Sequence, residues 1–451
     1  MSRIFLISFN TCDYPHVVYP LGLAVVAAAL ERAGHDIRIY DYLVADRNDN
    51  DLIAAVEKYQ PEFLCVSIRN LDDDLDSSFQ TDNREKFTRF GHLLQKARNL
   101  VSAPVIIGGT AFSLMPEALL DLTDADYGIV GEGENAICRL IVELQNNNKP
   151  DRIIYGFESL IPGPEIKGGF YDDSLVRYYY ERSGFINIQT KRGCSFKCVY
   201  CTYPSLEGCS FRYRDTKEVI DEISRLKKDL GCDRFFFTDS IFNDPAGHYR
   251  EVADGIIAEK LDIQWTAYFT PYRIEKADIL LCKRAGLYAV ELGTDAACSI
   301  TLTGLNKMFN WEDVVQANDI VTQAGLACAH FVVFGGPNET YQTVEEGIQN
   351  CRQLQNCVVF GNTGIRIYYG TSIYERAKSE GILDKDASLL EPVHYFSPEV
   401  QKDRVDEMIT RGWQKQRHLV FPPEKGKMIS QTLKKIYNLK GLLWDQIPSS
   451  A

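Results

Sequence analysis

The chain has 451 residues, 45% of them hydrophobic and 25% charged, which is the composition of a folded protein long enough for two or three cores. Its formal net charge of −13 argues against the chain as a whole being a nucleic-acid binder, since phosphate contacts require a basic face, and no apolar run is long enough to cross a membrane. Thirteen cysteines scattered along a long chain, and an opening Met1-Ser2-Arg3 whose following apolar run is too short for a secretory signal, predict a reducing, cytoplasmic setting.

Residues 3–9 (RIFLISF) read as a buried parallel strand and residues 21–33 as a helix stopped by Gly34. The alternation continues with strand 37–40, helix 51–59, strand 63–68, helix 84–99, strand 104–107 and strand 127–130. It predicts a doubly wound, Rossmann-like α/β domain over residues 1–148, which binds ligands beyond the carboxyl ends of its strands. The loops at that edge span residues 10–20, 69–80, 108–116 and 131–134. They carry Arg69, Asn70, Gly108, Gly109 and the run Gly131-Glu132-Gly133-Glu134. The plain reading makes these glycines turn residues and pairs Arg69 with Asp72, Asp73 and Asp74. From 149 to 184 periodicity fades and Pro and Gly accumulate (Pro162-Gly163-Pro164, Gly168-Gly169), which predicts a linker with little sheet of its own.

After a strand at 185–190 and a turn at Gly193 comes Cys194-Ser195-Phe196-Lys197-Cys198-Val199-Tyr200-Cys201. Three thiols spaced C-x3-C-x2-C can converge on one soft metal centre, one ligand short of a closed zinc or iron-sulfur site. A zinc knuckle completed by Cys209 or a distant His, or three buried thiols, are the other readings of the same residues. The spacing, with Tyr200 just before the third Cys, resembles the cluster loop of radical SAM enzymes. The resemblance implies that Cys194, Cys198 and Cys201 hold three irons of a 4Fe-4S cluster, with Tyr200 beside it. The fourth iron would bind S-adenosylmethionine.

Strand and helix patterns then alternate again: helix 216–230, strand 234–238, a helix from 247, strand 263–269, helix 276–285, strand 288–292, helix 311–324, strand 329–334, helix 341–354 and strand 365–369. Six such units over 185–384 match the partial (β/α)6 barrel that the resemblance implies, with chemistry at the carboxyl ends of the strands. It also implies that Asp239 lies near the SAM amino group, that Glu291, Thr294 and Asp295 face its ribose and carboxylate, and that Gly335 and Gly336 lie by the adenine. A helix cap or salt bridge is the plain reading of Glu291 and Asp295, and a helix-start carboxylate that of Glu339. Residues 385–451 read as a small, mostly helical region, with a basic stretch at 434–440 taken as a solvated helix face.

The Pro-Leu-Gly-Leu helix start at 20–23, Gly108-Gly109 and Gly-Glu-Gly-Glu together resemble the cobalamin-binding domain that precedes many radical SAM cores. The D-x-H-x-x-G signature that supplies an axial His to cobalt is absent, and Asp13 and His16 stand at the wrong spacing, so the resemblance implies base-off cobalamin. It would bring Arg69 and Asn70 near the lower face of the corrin. Covering residues 1 to about 385, it implies a cobalamin-dependent radical SAM enzyme, most often a methyltransferase, acting on a small molecule and fed by an external one-electron reductant of flavodoxin or ferredoxin type. A relative using the same cofactors for rearrangement, ring contraction or cyclisation is the alternative enzyme. A non-catalytic cobalamin or redox sensor is the alternative of another class.

Overall fold

The computed structural model describes residues 1–72, 82–384, 386–437 and 441–442. Asp73, Asp74 and most of the basic stretch at 434–440 therefore lie outside the described residues or side chains. The first sheet is built of β1 (Arg3–Phe9), β2 (Asp36–Asp41), β3 (Phe63–Ile68), β4 (Val105–Gly108), β5 (Tyr127–Val130) and β6 (Ile153–Tyr155). Its order is β2-β1-β3-β4-β5-β6 and every pairing is parallel. Six consecutive residues of β1 are buried, as expected of a strand covered by helices on both faces. The order reverses between β1 and β3, the place where a doubly wound sheet opens a crevice for ligands.

Capping follows the sequence closely. Asn48 and Asp82 accept backbone N–H groups at the starts of helices Asp49–Tyr59 and Asn83–Val101, and the second helix ends on Ser102 in the left-handed region. The linker differs from expectation. Residues 153–155 extend the first sheet as β6, and Asp172 caps a helix at Asp173–Ser183, so the segment predicted as a bare connection supplies both a strand and a helix. A three-residue strand between charged and glycine-rich flanks is too short to show a period.

The second sheet contains β7 (Ile186–Ile188); a hairpin, β8 (Lys191–Arg192) with β9 (Arg212–Tyr213), projects beside it. The sheet continues through β10 (Arg234–Phe237), β11 (Gln264–Phe269), β12 (Leu287–Asp295), β13 (Ala327–Phe334) and β14 (Val358–Thr363). The short strands β15 (Ile365–Arg366) and β16 (His394–Tyr395) pair antiparallel. The last strand, β17 (Leu419–Val420), joins β14, giving the parallel order β17-β14-β13-β12-β11-β10-β7. Two expectations are corrected here. The sixth barrel strand is 358–363 instead of 365–369, hidden in sequence by Gly361, whose missing side chain leaves room for the Trp413 ring 2.7 Å from where a Cβ would sit. The second is the number of strands: the mostly helical C-terminal region adds β17 as a seventh to the expected six.

Phe185, Phe236, Ala289, Ala329, Val358, Val420 and Leu442 form one buried cluster of the second sheet. The linker is bound to the barrel by Glu222. Its carboxylate accepts the Gly169 N–H at 3.1 Å and the Tyr171 hydroxyl at 2.7 Å, and pairs with Arg214 at 2.8 Å. Both charged side chains of that pair are 3% exposed. Glu222→Ala would leave a guanidinium buried without its carboxylate, so a loss of about 3–5 kcal/mol is expected as a lowered urea midpoint, with Glu222→Gln losing less because it still accepts hydrogen bonds.

Candidate functional site

A cavity of about 590 Å³ lies between the two sheets. The first domain contributes loops beyond β1, β3, β4 and β5, including Arg69, Gly108, Gly109, Gly131, Glu132, Gly133 and Glu134. The barrel contributes Asn187, Gln189, Arg192, Tyr203, Phe236, Thr238 and Tyr268. The crevice expected from strand order thus becomes a cleft whose opposite wall is the second sheet. Gly109 is required by its backbone: φ is +95°, and a Cβ would stand 2.6 Å from the Ile68 carbonyl. Helix Leu21–Arg32 starts on the cavity wall with no side-chain cap, which leaves its first turn open to an acceptor.

Arg69 lines the cavity and Asn70 does not. Of the acidic partners in the plain reading of Arg69, Asp72 binds Arg366 at 3.0 Å, and Asp73 and Asp74 lie outside the described residues. Burial lowers the pKa of the Arg69 guanidinium, which has Tyr179, Tyr203 and Tyr268 nearby. His16 also lines the cavity and packs edge-on against Phe185 at 4.8 Å between ring centroids.

The three cysteines sit on a loop held from three sides. Ser240 donates to the Gly193 carbonyl at 2.8 Å, Asn306 to the Lys197 carbonyl at 2.7 Å, and the Val199 carbonyl accepts the Ile373 N–H at 2.8 Å. Gly193 has φ +79°, and a Cβ there would stand 2.1 Å from the Ser210 carbonyl, so only glycine lets the chain turn from β8 into the loop. Burial raises the Cys194 thiol and pushes Cys201 up to about 12, and the neighbouring thiols raise both further. Such thiols lose their protons to solvent when a metal centre binds, its positive charge replacing them. Among the described residues no three His, Cys, Asp or Glu side chains are grouped to hold one ion. Three thiols on one loop are the donor chemistry of an iron-sulfur cluster with one iron left open. Cys209 is exposed.

Beside the loop, Lys307 is ion-paired with Asp295 and lies 3.0 Å from the Tyr200 hydroxyl. Burial alone would depress this lysine, but Asp295 reverses the effect and holds it well above its ordinary value. Tyr200 and Asp295, far apart in sequence, are thus brought together, and Asp295 meets a lysine that sequence reasoning missed. Glu291 is buried in the middle of β12, near Tyr268.

Four of the residues expected at S-adenosylmethionine have close neighbours within the protein. The Asp239 side chain is 0% exposed and accepts from the Thr190 and Lys191 backbone N–H groups, the Thr190 hydroxyl and the Lys191 ammonium, so its carboxylate is occupied within the protein. Thr294 is fully buried, its hydroxyl 2.8 Å from His330 Nδ1. A Cβ on Gly335 would meet the Phe396 ring at 2.7 Å, so that glycine admits an aromatic side chain of this protein. Gly336 likewise faces Ile365 and Leu305.

The Glu132 carboxylate also turns away from ligand duty. It binds Arg212 and the Ile161 N–H, with Arg192 at 3.4 Å. Arg192 in turn binds Glu134 at 2.6 Å. Burial would raise Glu134, but this guanidinium outweighs it and holds the carboxyl below its usual range. Arg192 stands two residues before Cys194, and an acidic pair facing a basic hairpin is the sequence signal that could have found the network.

Replacing Cys194, Cys198 or Cys201 with Ala is expected to abolish the iron-dependent absorbance of the anaerobically reconstituted protein, and Cys209→Ala to keep it; full absorbance in Cys201→Ala would refute the ligand set. A second expectation concerns Glu339, which accepts the Gly335 N–H and the Thr343 hydroxyl. Burial lifts its carboxyl from 4.5 to about 7, against those hydrogen bonds. Between these values the folded chain holds a proton that the unfolded chain has lost, so stability falls as pH rises through the window, by about 3 kcal/mol in all, and levels off above it. Urea midpoints at about pH 5 and about pH 8 should differ in the parent and converge in Glu339→Gln.

Comparison with known proteins agrees with this arrangement. Residues 9–141 match the B12 binding domain and residues 188–350 the Radical SAM superfamily. The chain is 23% identical to tryptophan 2-C-methyltransferase of Streptomyces laurentii, over 81% of this chain and 73% of that protein. It is 24% identical to an uncharacterized methyltransferase of Pyrococcus horikoshii, over 85% of each. The fold superposes with a TM-score of 0.82 on the radical S-adenosylmethionine methyltransferase TsrM from Kitasatospora setae, solved with cobalamin and a [4Fe-4S] cluster bound, at 20% identity and covering 99% of this chain and 98% of that one. The chain belongs to the cobalamin-binding radical SAM enzymes, in which a B12 binding domain precedes the radical SAM core.

Proposed function

We propose that the chain is a cobalamin-dependent radical SAM methyltransferase that places a methyl group on an unactivated carbon of a small molecule. The observation that carries this reading is the single cavity walled on one side by the B12 binding domain and on the other by the barrel that bears the three-cysteine loop. When bound, the cluster with S-adenosylmethionine supplies a 5′-deoxyadenosyl radical and cobalamin supplies the methyl group.

The protein's own part is to bind, orient and exclude water. Cys194, Cys198 and Cys201 would hold the cluster, with Tyr200 positioned by Lys307. Glu291 and the Asp295–Lys307 pair stand where polar groups of S-adenosylmethionine would be met, and Gly108, Gly109, Gly131 and Gly133 offer backbone to cobalamin. Tyr203, Phe236 and Tyr268 give the cavity flat apolar faces suited to planar groups. A relative is named for a tryptophan methyltransferase, which makes aromatic amines the first substrates to try. The reductant would be a flavodoxin or ferredoxin in the cytoplasm, where all thirteen cysteines, none of them disulfide-bonded, would stay reduced. No helix among the described residues is long and apolar enough to cross a membrane.

Anaerobic reconstitution with iron, sulfide, S-adenosylmethionine, cobalamin and reductant, against a panel of aromatic small molecules, tests the reading. Methylated product with S-adenosylhomocysteine is expected; 5′-deoxyadenosine with an isomerised, unmethylated product would replace methyl transfer by rearrangement. Arg69 is the residue to vary in that assay. A guanidinium offers donors and no lone pair, so next to cobalt it cannot ligate and would keep water away. Arg69→Ala should retain cobalamin and slow methyl transfer by roughly a hundredfold, and Arg69→Lys by less. Parent-like transfer in both variants would remove Arg69 from the chemistry.

A further inference from the structure

Glu132, Glu134, Arg192 and Arg212 form a buried network between the two domains, with side chains 5% to 13% exposed. On one side the two carboxylates belong to the loop Gly131-Glu132-Gly133-Glu134, whose backbone lines the cavity. On the other, the two guanidiniums belong to the paired strands β8 and β9, register partners in the hairpin that launches the cysteine loop. Little slack separates Arg192 from Cys194. The intervening Gly193 is fixed by its N–H to Glu207 at 3.0 Å and by the close Ser210 carbonyl. Arg192 Nε also donates to Gln189 at 3.1 Å, and Gln189 donates to Glu207 at 2.8 Å, so the hairpin base is cross-braced.

Buried charges of this kind cannot separate cheaply, because each would be left without its partner in a medium of low dielectric constant. A shift of the hairpin must therefore carry the acidic loop with it. We propose that this network couples the two cofactor sites, so that seating the cluster on Cys194, Cys198 and Cys201 tightens cobalamin binding in the cavity, and cobalamin in turn retains the cluster. The inference rests on the reading that the cavity takes cobalamin. Coupling of this sort is reciprocal by thermodynamic necessity and is commonly five- to about a hundredfold. Arg192 is a positioning residue here: its guanidinium is held by Glu132 and Glu134, and it acts through the loop it holds.

The test titrates hydroxocobalamin into the full chain, anaerobically, with the cluster reconstituted and with iron removed, following the cobalamin absorbance. Binding roughly tenfold tighter in the cluster-loaded parent is expected. In Glu134→Gln the ratio should fall toward one while both forms still bind, and Arg192→Lys, which keeps the charge but loses the fork, should lie between. A measurement free of variants accompanies these: cobalamin should slow loss of iron from the parent to a chelator. Equal affinity with and without cluster, a ratio unchanged in Glu134→Gln, or iron loss indifferent to cobalamin would each overturn the coupling. Absence of any cobalamin binding by the loaded parent would overturn the proposed function and the coupling with it, whereas equal binding by both forms would overturn the coupling alone.

Discussion

Lys191 carries its ammonium with no exposed surface, 3.2 Å from Asp239, 3.4 Å from Asp244 and 2.9 Å from the Phe242 carbonyl. A buried cation is tolerable only when its partners are fixed, and removing one of them costs several kcal/mol, on the order of 3–5. The start of the hairpin is thereby pinned to the segment that follows β10. Everything the cysteine loop requires hangs from that pin: the turn at Gly193, the departure of Cys194, and the reach of Arg192 toward the first domain. The same pin explains why Asp239, standing where a ligand contact would be sought, is spent inside the protein.

The two domains meet with divided charge. The first presents carboxylates at 132 and 134 and the second presents guanidiniums at 192 and 212, so that docking satisfies both sets at once. Farther round the interface Asp72 meets Arg366, and Glu391 accepts the first N–H groups of helix Asn83–Val101, a cap supplied from the other domain. The cavity is a product of this docking, since neither sheet encloses it alone. Several charged groups around it, Glu132, Glu134 and Arg192 among them, bind protein partners, and glycines and aromatic side chains make up much of the remaining wall.

Local signals in the sequence were enough for much of this. The C-x3-C-x2-C spacing lies within eight residues, and the alternation of strand and helix is long enough to show its period. What escaped was whatever depends on distant partners. A three-residue strand such as β6 has no period, and Gly361 disguises β14 because the Trp413 ring that demands a glycine there lies far along the chain. Asp239 and Thr294 look free until their neighbours are known, since a polar residue at a strand end reads the same whether it faces a cavity or Lys191. Glu132 was read as a cavity residue, and only its backbone serves there. Lys307 gave no signal at all, because its meaning comes from Asp295 and Tyr200.

The last strand has a consequence for how the chain is made. The edge of β14 is paired only at Val359 and Phe360, and the partner β17 lies at Leu419–Val420, near the end of the sequence. During synthesis the barrel therefore waits with an open parallel edge until residues 419–420 have left the ribosome, while the first sheet, complete by Tyr155, can close much earlier. A nascent chain stalled between these points would expose a sticky border of Val358, Val359 and Phe360, where a chaperone or a second unfinished chain would bind first.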